Sequence, residues 1–174
     1  METYAAVRLE INSWLWKGVP FYIRGGKCLP VTCTEVIVRF RWQPPVCEVS
    51  PPPNDLRFRI SPDVCIGLGV RAKRPGERMD GGPVELQVCQ HDDPNAIEAY
   101  ERLLTEAMKG DATDFARENY MEEGCRVVDS VLGDAIPLRE YEPGTWGPSE
   151  GGQGLAPPRG WQDPVLEPAC GSHT

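Results

Sequence analysis

The residues able to do chemistry are few and clustered. Pro20-Phe21-Tyr22-Ile23-Arg24-Gly25-Gly26-Lys27 ends an apolar run in two glycines and a lysine. Glycine permits positive φ and close backbone approach, so amides around Gly25 and Gly26 can turn toward an anion. Lys27 adds a point charge suited to a phosphate. The same string also suits a plain turn carrying a solvated lysine. Gly67-Leu68-Gly69-Val70-Arg71-Ala72 matches a dinucleotide fingerprint as letters, but that motif must open a helix after a strand. Here the glycines interrupt an alternating run that Arg74-Pro75-Gly76 ends, so they mark a bulge or close sheet packing.

Other chemistry finds little support. Cys28 and Cys33 are spaced C-x4-C, Cys89-Gln90-His91 offers C-x-H, and no C-x-x-C pair exists, so no metal site is expected. His91 and His173 are the only histidines, and neither has a sequence context suggesting a triad; no catalytic residue is assigned. Glu122 and Glu123 read as a solvated helix face, and Arg57 and Arg59 as the polar face of a strand. Seven cysteines, sitting singly and partly in strand-like runs (Cys65, Cys89), read as reduced, partly buried thiols of the cytoplasm.

The elements that would position these residues follow from periodicity. Apolar and polar residues alternate in Val7–Ile11, Leu56–Ile60 and Val84–Val88. Cys65–Lys73 keeps Ile66, Leu68, Val70 and Ala72 on one face, while Val19–Ile23 and Thr34–Trp42 read as further strands. Breakers such as Pro51-Pro52-Pro53-Asn54 and Ser61-Pro62-Asp63 separate them, which favours an antiparallel sheet. The period then becomes 3.6. Asp93 and Pro94 suit a helix start, and Ile97, Tyr100, Leu103, Leu104, Ala107 and Met108 form one stripe, closed by Lys109-Gly110. Asp111, with Asp114 at the capping-box offset, predicts a short second helix. A third runs from about Glu118 to Leu132. The expected class is α+β, predominantly antiparallel sheet with helices packed on one face. Residues 143–174 hold 13 Gly and Pro among 32 and read as an arm, partly disordered, after a domain over 1–142.

Composition bounds the rest. The 174 residues suit one domain, and a net charge of −8 argues against nucleic acid or an anionic membrane as main partner, while allowing a local basic pocket for a small phosphate. No apolar run is long enough to span a membrane, and Met1–Arg8 has no signal-peptide pattern.

The chain as a whole resembles the C-terminal domain of the glucose-6-phosphate dehydrogenase family. The resemblance is carried by Glu2–Val7, Trp16–Lys27, Leu56–Pro62, Lys73–Gly76, Ala99–Leu104, Gly110–Thr113, Arg126–Asp129 and Gly144–Pro148, and it covers about residues 2–150. It is specific because many blocks occur in one order at compatible spacings. It implies NADP-linked oxidation of glucose 6-phosphate to 6-phosphogluconolactone in the pentose phosphate pathway. It also implies that Lys27, in the R-x-G-K position, binds the substrate phosphate. Members often carry a second basic residue a few positions later; here Leu29–Thr34 has none, which leaves the Thr32 hydroxyl for that contact. Ser61 stands where some members have a substrate-contacting Gln. Arg24 and Arg59 match residues of a second, structural NADP site in some members, but its other basic residues are missing, so that site is expected to be absent.

The resemblance also implies that the family's Rossmann unit, catalytic histidine and His-Tyr-Leu-Gly-Lys motif lie upstream of the matched part, and none of them occurs in these 174 residues. The chain is expected to be inactive alone, with the main NADP site outside it and a homo-oligomer formed through an exposed sheet face. The alternative is a non-catalytic assembly module that pairs with itself or a full-length paralogue. In the third helix, Gly124-Cys125 replaces the family's small residue and Trp.

Overall fold

A computed structural model describes residues 3–42, 52–76, 81–90, 99–131, 138–148 and 155–165. These fall into two compact units, one within 3–92 and 141–174, the other within 93–140. The first holds two antiparallel sheets. β1 (Tyr4–Glu10) pairs with β2 (Pro20–Gly26), from Tyr4 opposite Gly26 to Glu10 opposite Pro20. β3 (Thr34–Arg39), β4 (Asp55–Ser61), β5 (Cys65–Lys73) and β6 (Gly81–Cys89) form a meander in the order β3-β4-β5-β6. The six described strands overlap the runs read as strands, with β3 stopping at Arg39 rather than Trp42, and their period of two sends every second side chain to one face.

Register sorts the meander into two unlike faces. Val36 lies opposite Phe58, Phe58 opposite Ile66, and Ile66 opposite Val88. On the other face Glu35 lies opposite Arg59, Arg59 opposite Cys65, and Cys65 opposite Cys89. Much of the apolar face is open: Leu86 is 60% and Val88 75% exposed. Arg57 and Arg59 do take the polar face, but Arg59 is buried rather than solvated and donates to Glu35 Oε2 at 3.2 Å.

Two glycines on β5 lie close against side chains of the neighbouring strands. A Cβ on Gly69 would meet Asp55 Oδ1 at 2.6 Å, and one on Gly67 would meet Glu85 Oε1 at 3.0 Å. The dinucleotide-like string is thus a strand crossed by its neighbours' carboxylates, with its register unbroken through both glycines.

The cysteine expectation needs correction. Cys65 and Cys89 form a disulfide, because the β5–β6 register sets them directly opposite with Cα atoms 4.1 Å apart. Cys28, Cys33 and Cys125 remain free thiols. Burial and the nearby Glu35 charge push the Cys33 thiol above its ordinary range.

The second unit holds α1 (Ala99–Lys109) and α2 (Glu118–Val128), followed by a 3-10 turn over Asp129–Val131. The expected start of α1 at Asp93 and Pro94 lies outside the described residues. Gly110 takes φ +73°, as the expected stop requires. The short helix expected at Asp111 is a turn instead. The Asp111 carboxylate accepts from the Thr113 amide at 3.0 Å and its hydroxyl at 2.6 Å, and Asp114 pairs with Arg102 at 2.7 Å rather than closing a capping box. Among the described residues no helix is long and apolar enough to cross a membrane.

Candidate functional site

β2 delivers Gly25, Gly26 and Lys27 at one end of the two-stranded sheet. The backbone there is held from three sides. The Lys27 amide donates to Thr3 O at 2.8 Å, Tyr141 Oη donates to Lys27 O at 2.6 Å, and the Gly144 amide donates to Cys28 O at 2.8 Å. Cys28 sits at φ +54°, a left-handed turn that ends the strand direction right after Lys27. Gly26 is needed here, since a Cβ would come within 2.9 Å of the Tyr4 ring. Gly25, by contrast, faces open space.

Lys27 is exposed, and among the described residues no hydrogen bond or ion pair engages its ammonium. A fixed backbone carrying a free cation can meet an anion without reordering the chain. Thr32 is also exposed, and among the described residues no hydrogen bond ties it to this loop. Ser61, at the end of β4, is exposed opposite Thr34.

Tyr4 and Tyr141 form the wall behind the loop, with ring centroids 5.5 Å apart. Burial lifts the Tyr4 hydroxyl above its ordinary range; Arg24 pulls it down and Tyr141 pushes it further up. Gly147, at φ +102°, lets the following chain pass the Tyr4 ring, which a Cβ there would meet at 2.5 Å.

Arg24 has the opposite environment. Its guanidinium lies 4.5 Å from the Trp146 ring and 5.0 Å from the Trp161 ring, and it pairs with Asp163. Tyr22 meets Trp161 edge-on with centroids 6.5 Å apart. Arg59 is similarly engaged, by Glu35 and by Val165 O at 2.7 Å. The two arginines matched to a second dinucleotide site therefore pair internally. Residues expected in an arm thus pack on the strands. Tyr141, Trp146, Trp161 and Asp163 were not singled out as site residues. The sequence signal available was isolated aromatics inside a Gly/Pro-rich stretch.

Comparison with known proteins gives consistent findings. A family model described as glucose-6-phosphate dehydrogenase, C-terminal domain, matches residues 1–161. A glucose-6-phosphate 1-dehydrogenase of Aggregatibacter actinomycetemcomitans is 42% identical over 154 residues, covering 85% of this chain and 31% of that protein. The crystal structure of glucose-6-phosphate 1-dehydrogenase from Mycobacterium avium superposes with a TM-score of 0.81 at 38% identity, covering 96% of this chain and 36% of that one. A glucose-6-phosphate dehydrogenase solved in complex with its substrate glucose 6-phosphate superposes at 0.72 with 28% identity, covering 94% and 35%. The chain spans about a third of the length of the relatives it matches.

Proposed function

Because this chain belongs to the glucose-6-phosphate dehydrogenase family through its C-terminal domain, we propose that it supplies the substrate-phosphate contact and the assembly surface of such an enzyme. The observation that carries the reading is Lys27, exposed and unpaired among the described residues on a backbone pinned by Thr3, Tyr141 and Gly144. In this reading Lys27 meets the phosphate of glucose 6-phosphate, the amides near Gly25 and Gly26 border it, and the Thr32 hydroxyl adds a second contact.

Oxidation of the sugar also needs a base and a hydride acceptor held against the reacting carbon. NADP, as acceptor, would be held outside these residues. The internal pairing of Arg24 and Arg59 supports the absence of a second NADP. The 174 residues alone are therefore inactive: mixed with glucose 6-phosphate and NADP they produce no rise in NADPH absorbance, and sustained turnover would refute this.

The experiment that tests the site is a titration of glucose 6-phosphate into wild type and Lys27→Ala, followed by amide shifts. Wild type responds at residues 24–28 and the variant does not; equal responses sink the phosphate role of Lys27.

The assembly reading rests on the open apolar face of the meander, where Val36, Val38, Ile60, Ile66, Leu86 and Val88 are each more than two-fifths exposed. Its occupant is a second copy, giving a homo-oligomer. If pairing with a full-length paralogue is the whole role, assembly persists in Lys27→Ala and no substrate response is seen in either protein. Sedimentation that finds monomer alone over a wide concentration range removes the homo-oligomer.

A further inference from the structure

The Cys65–Cys89 bond plays no part in the phosphate contact, yet it holds the strand that dominates the open apolar face. Among the described residues β6 has a strand neighbour on one side only, since the order is β3-β4-β5-β6. Leu86 and Val88 on β6 are the most exposed side chains of that face, at 60% and 75%. Their rungs, Leu68 opposite Leu86 and Ile66 opposite Val88, lead directly to the rung of Cys65 and Cys89. Beyond the disulfide the ladder continues through the Gln90 amide, which donates to Val64 O at 2.8 Å. The end of an edge strand is where a sheet opens most readily. A slip of one residue there would send Leu86 and Val88 to the opposite face. The bond sits where it prevents both.

Cys28, Cys33 and Cys125 are free thiols, so among the described residues this disulfide stands alone. A disulfide in the company of reduced thiols is characteristically transient and redox-sensing. Its two sulfurs are also unlike. Cys65 is buried, at 7% exposure, whereas Cys89 is half-buried on the edge strand. A thiol from solvent therefore reaches Cys89 first, and Cys65 departs as the thiolate. Arg59 lies opposite Cys65 on β4, and its guanidinium, shared with Glu35, favours the charge on that leaving group.

We propose that Cys65–Cys89 is a redox switch on self-assembly. Oxidised, it holds the end of β6 in register for a second copy; reduced, it lets β6 fray and the copies part. This rests on the reading of the meander as the assembly surface. In the reducing direction one thiolate of a dithiol attacks Cys89 Sγ, a mixed disulfide forms and the Cys65–Cys89 bond breaks. The second thiol of the reductant then displaces Cys89. Two electrons and two protons pass to the two cysteines, and the reductant leaves as its own disulfide. A disulfide of the same class reverses each step.

The test compares the whole chain before and after dithiothreitol, with the bond followed by intact mass, β6 by amide hydrogen exchange, and assembly by sedimentation. On reduction, exchange at Leu86 and Val88 is expected to quicken at least about tenfold while β1 and β2 keep their rates. The self-dissociation constant rises at least about tenfold. Cys89→Ser shows the reduced behaviour with or without dithiothreitol. Cys125→Ser switches as wild type does. A bond that dithiothreitol leaves intact, or exchange at β6 that is equal in the two states, overturns the switch even if the oxidised chain assembles. Faster exchange with an unchanged dissociation constant overturns it too. Monomer alone in both states removes the assembly reading itself, and the switch with it.

Discussion

Arg24 and Lys27 stand three residues apart at the end of one strand, yet the fold treats them in opposite ways. Arg24 is closed in by two indole rings and a carboxylate. Lys27 has its backbone held and its ammonium left to solvent. Both are cations beside the same glycines, so residue type does not separate structural from binding roles here. What separates them is which partners the distant segment 141–165 brings. A guanidinium stacks on aromatics and forks onto carboxylates, whereas an ammonium on a flexible stem gains less from either.

The contrast can be broken by exchange of effects. Trp161→Ala should cost about 2–3 kcal/mol of stability, from lost packing and cation–π contact, while leaving amide responses to glucose 6-phosphate in place. Thermal or urea unfolding measures this, and an unchanged midpoint would mean that the rings over Arg24 are incidental. Lys27→Ala should do the reverse: substrate binding weakens by about 2 kcal/mol, roughly thirtyfold, with the unfolding midpoint unmoved. A loss of stability comparable to that of Trp161→Ala would make Lys27 a structural residue.

Tyr141→Phe sharpens the comparison, because it removes only the hydroxyl on Lys27 O. About 1 kcal/mol of stability should go, together with a several-fold loss of substrate affinity read from the same titration. Affinity equal to wild type would show that the pinned backbone is not needed for binding. The smallest effect is alkaline. Tyr4 has its folded-state pKa raised, chiefly by burial. Its neutral form therefore contributes stability below the ordinary tyrosine range that is lost as pH rises through the raised value. Tyr4→Phe should flatten that decline, and a decline as steep as that of wild type assigns it to another group.

The strands were legible because each is a short period-two run bounded by glycine or proline, from Val7-Arg8-Leu9 to Val84-Glu85-Leu86. α2 is the expected third helix, and its start at Glu118 agrees. The turn at Asp111 was not: a capping-box spacing and an Asp–Thr turn share the same letters, and only the Arg102 contact to Asp114 decides between them. The Cys65–Cys89 bond depends on which residue of β6 faces Cys65, and Pro75-Gly76 and Asp80-Gly81 announce a turn there without fixing the register across it. Of the candidate site, the glycine–lysine loop could be seen locally. Tyr141 and Trp161 could not, since their partners lie more than a hundred positions away and no periodicity announces such contacts.

The stretch 161–165 touches both sheets: Gln162 accepts from Arg39 on β3, Asp163 pairs with Arg24 on β2, and Val165 O accepts from Arg59 on β4. The sequence distances are 123, 139 and 106 residues. During synthesis, β2 and the β3–β4 hairpin leave the ribosome long before their common tie exists. A nascent chain thus carries two sheets whose Arg24, Arg39 and Arg59 still lack these particular partners, and the late arrival of five residues supplies them. A ribosome stalled before residue 161 would hold a chain whose strands can pair but whose sheets are not yet joined by these bonds.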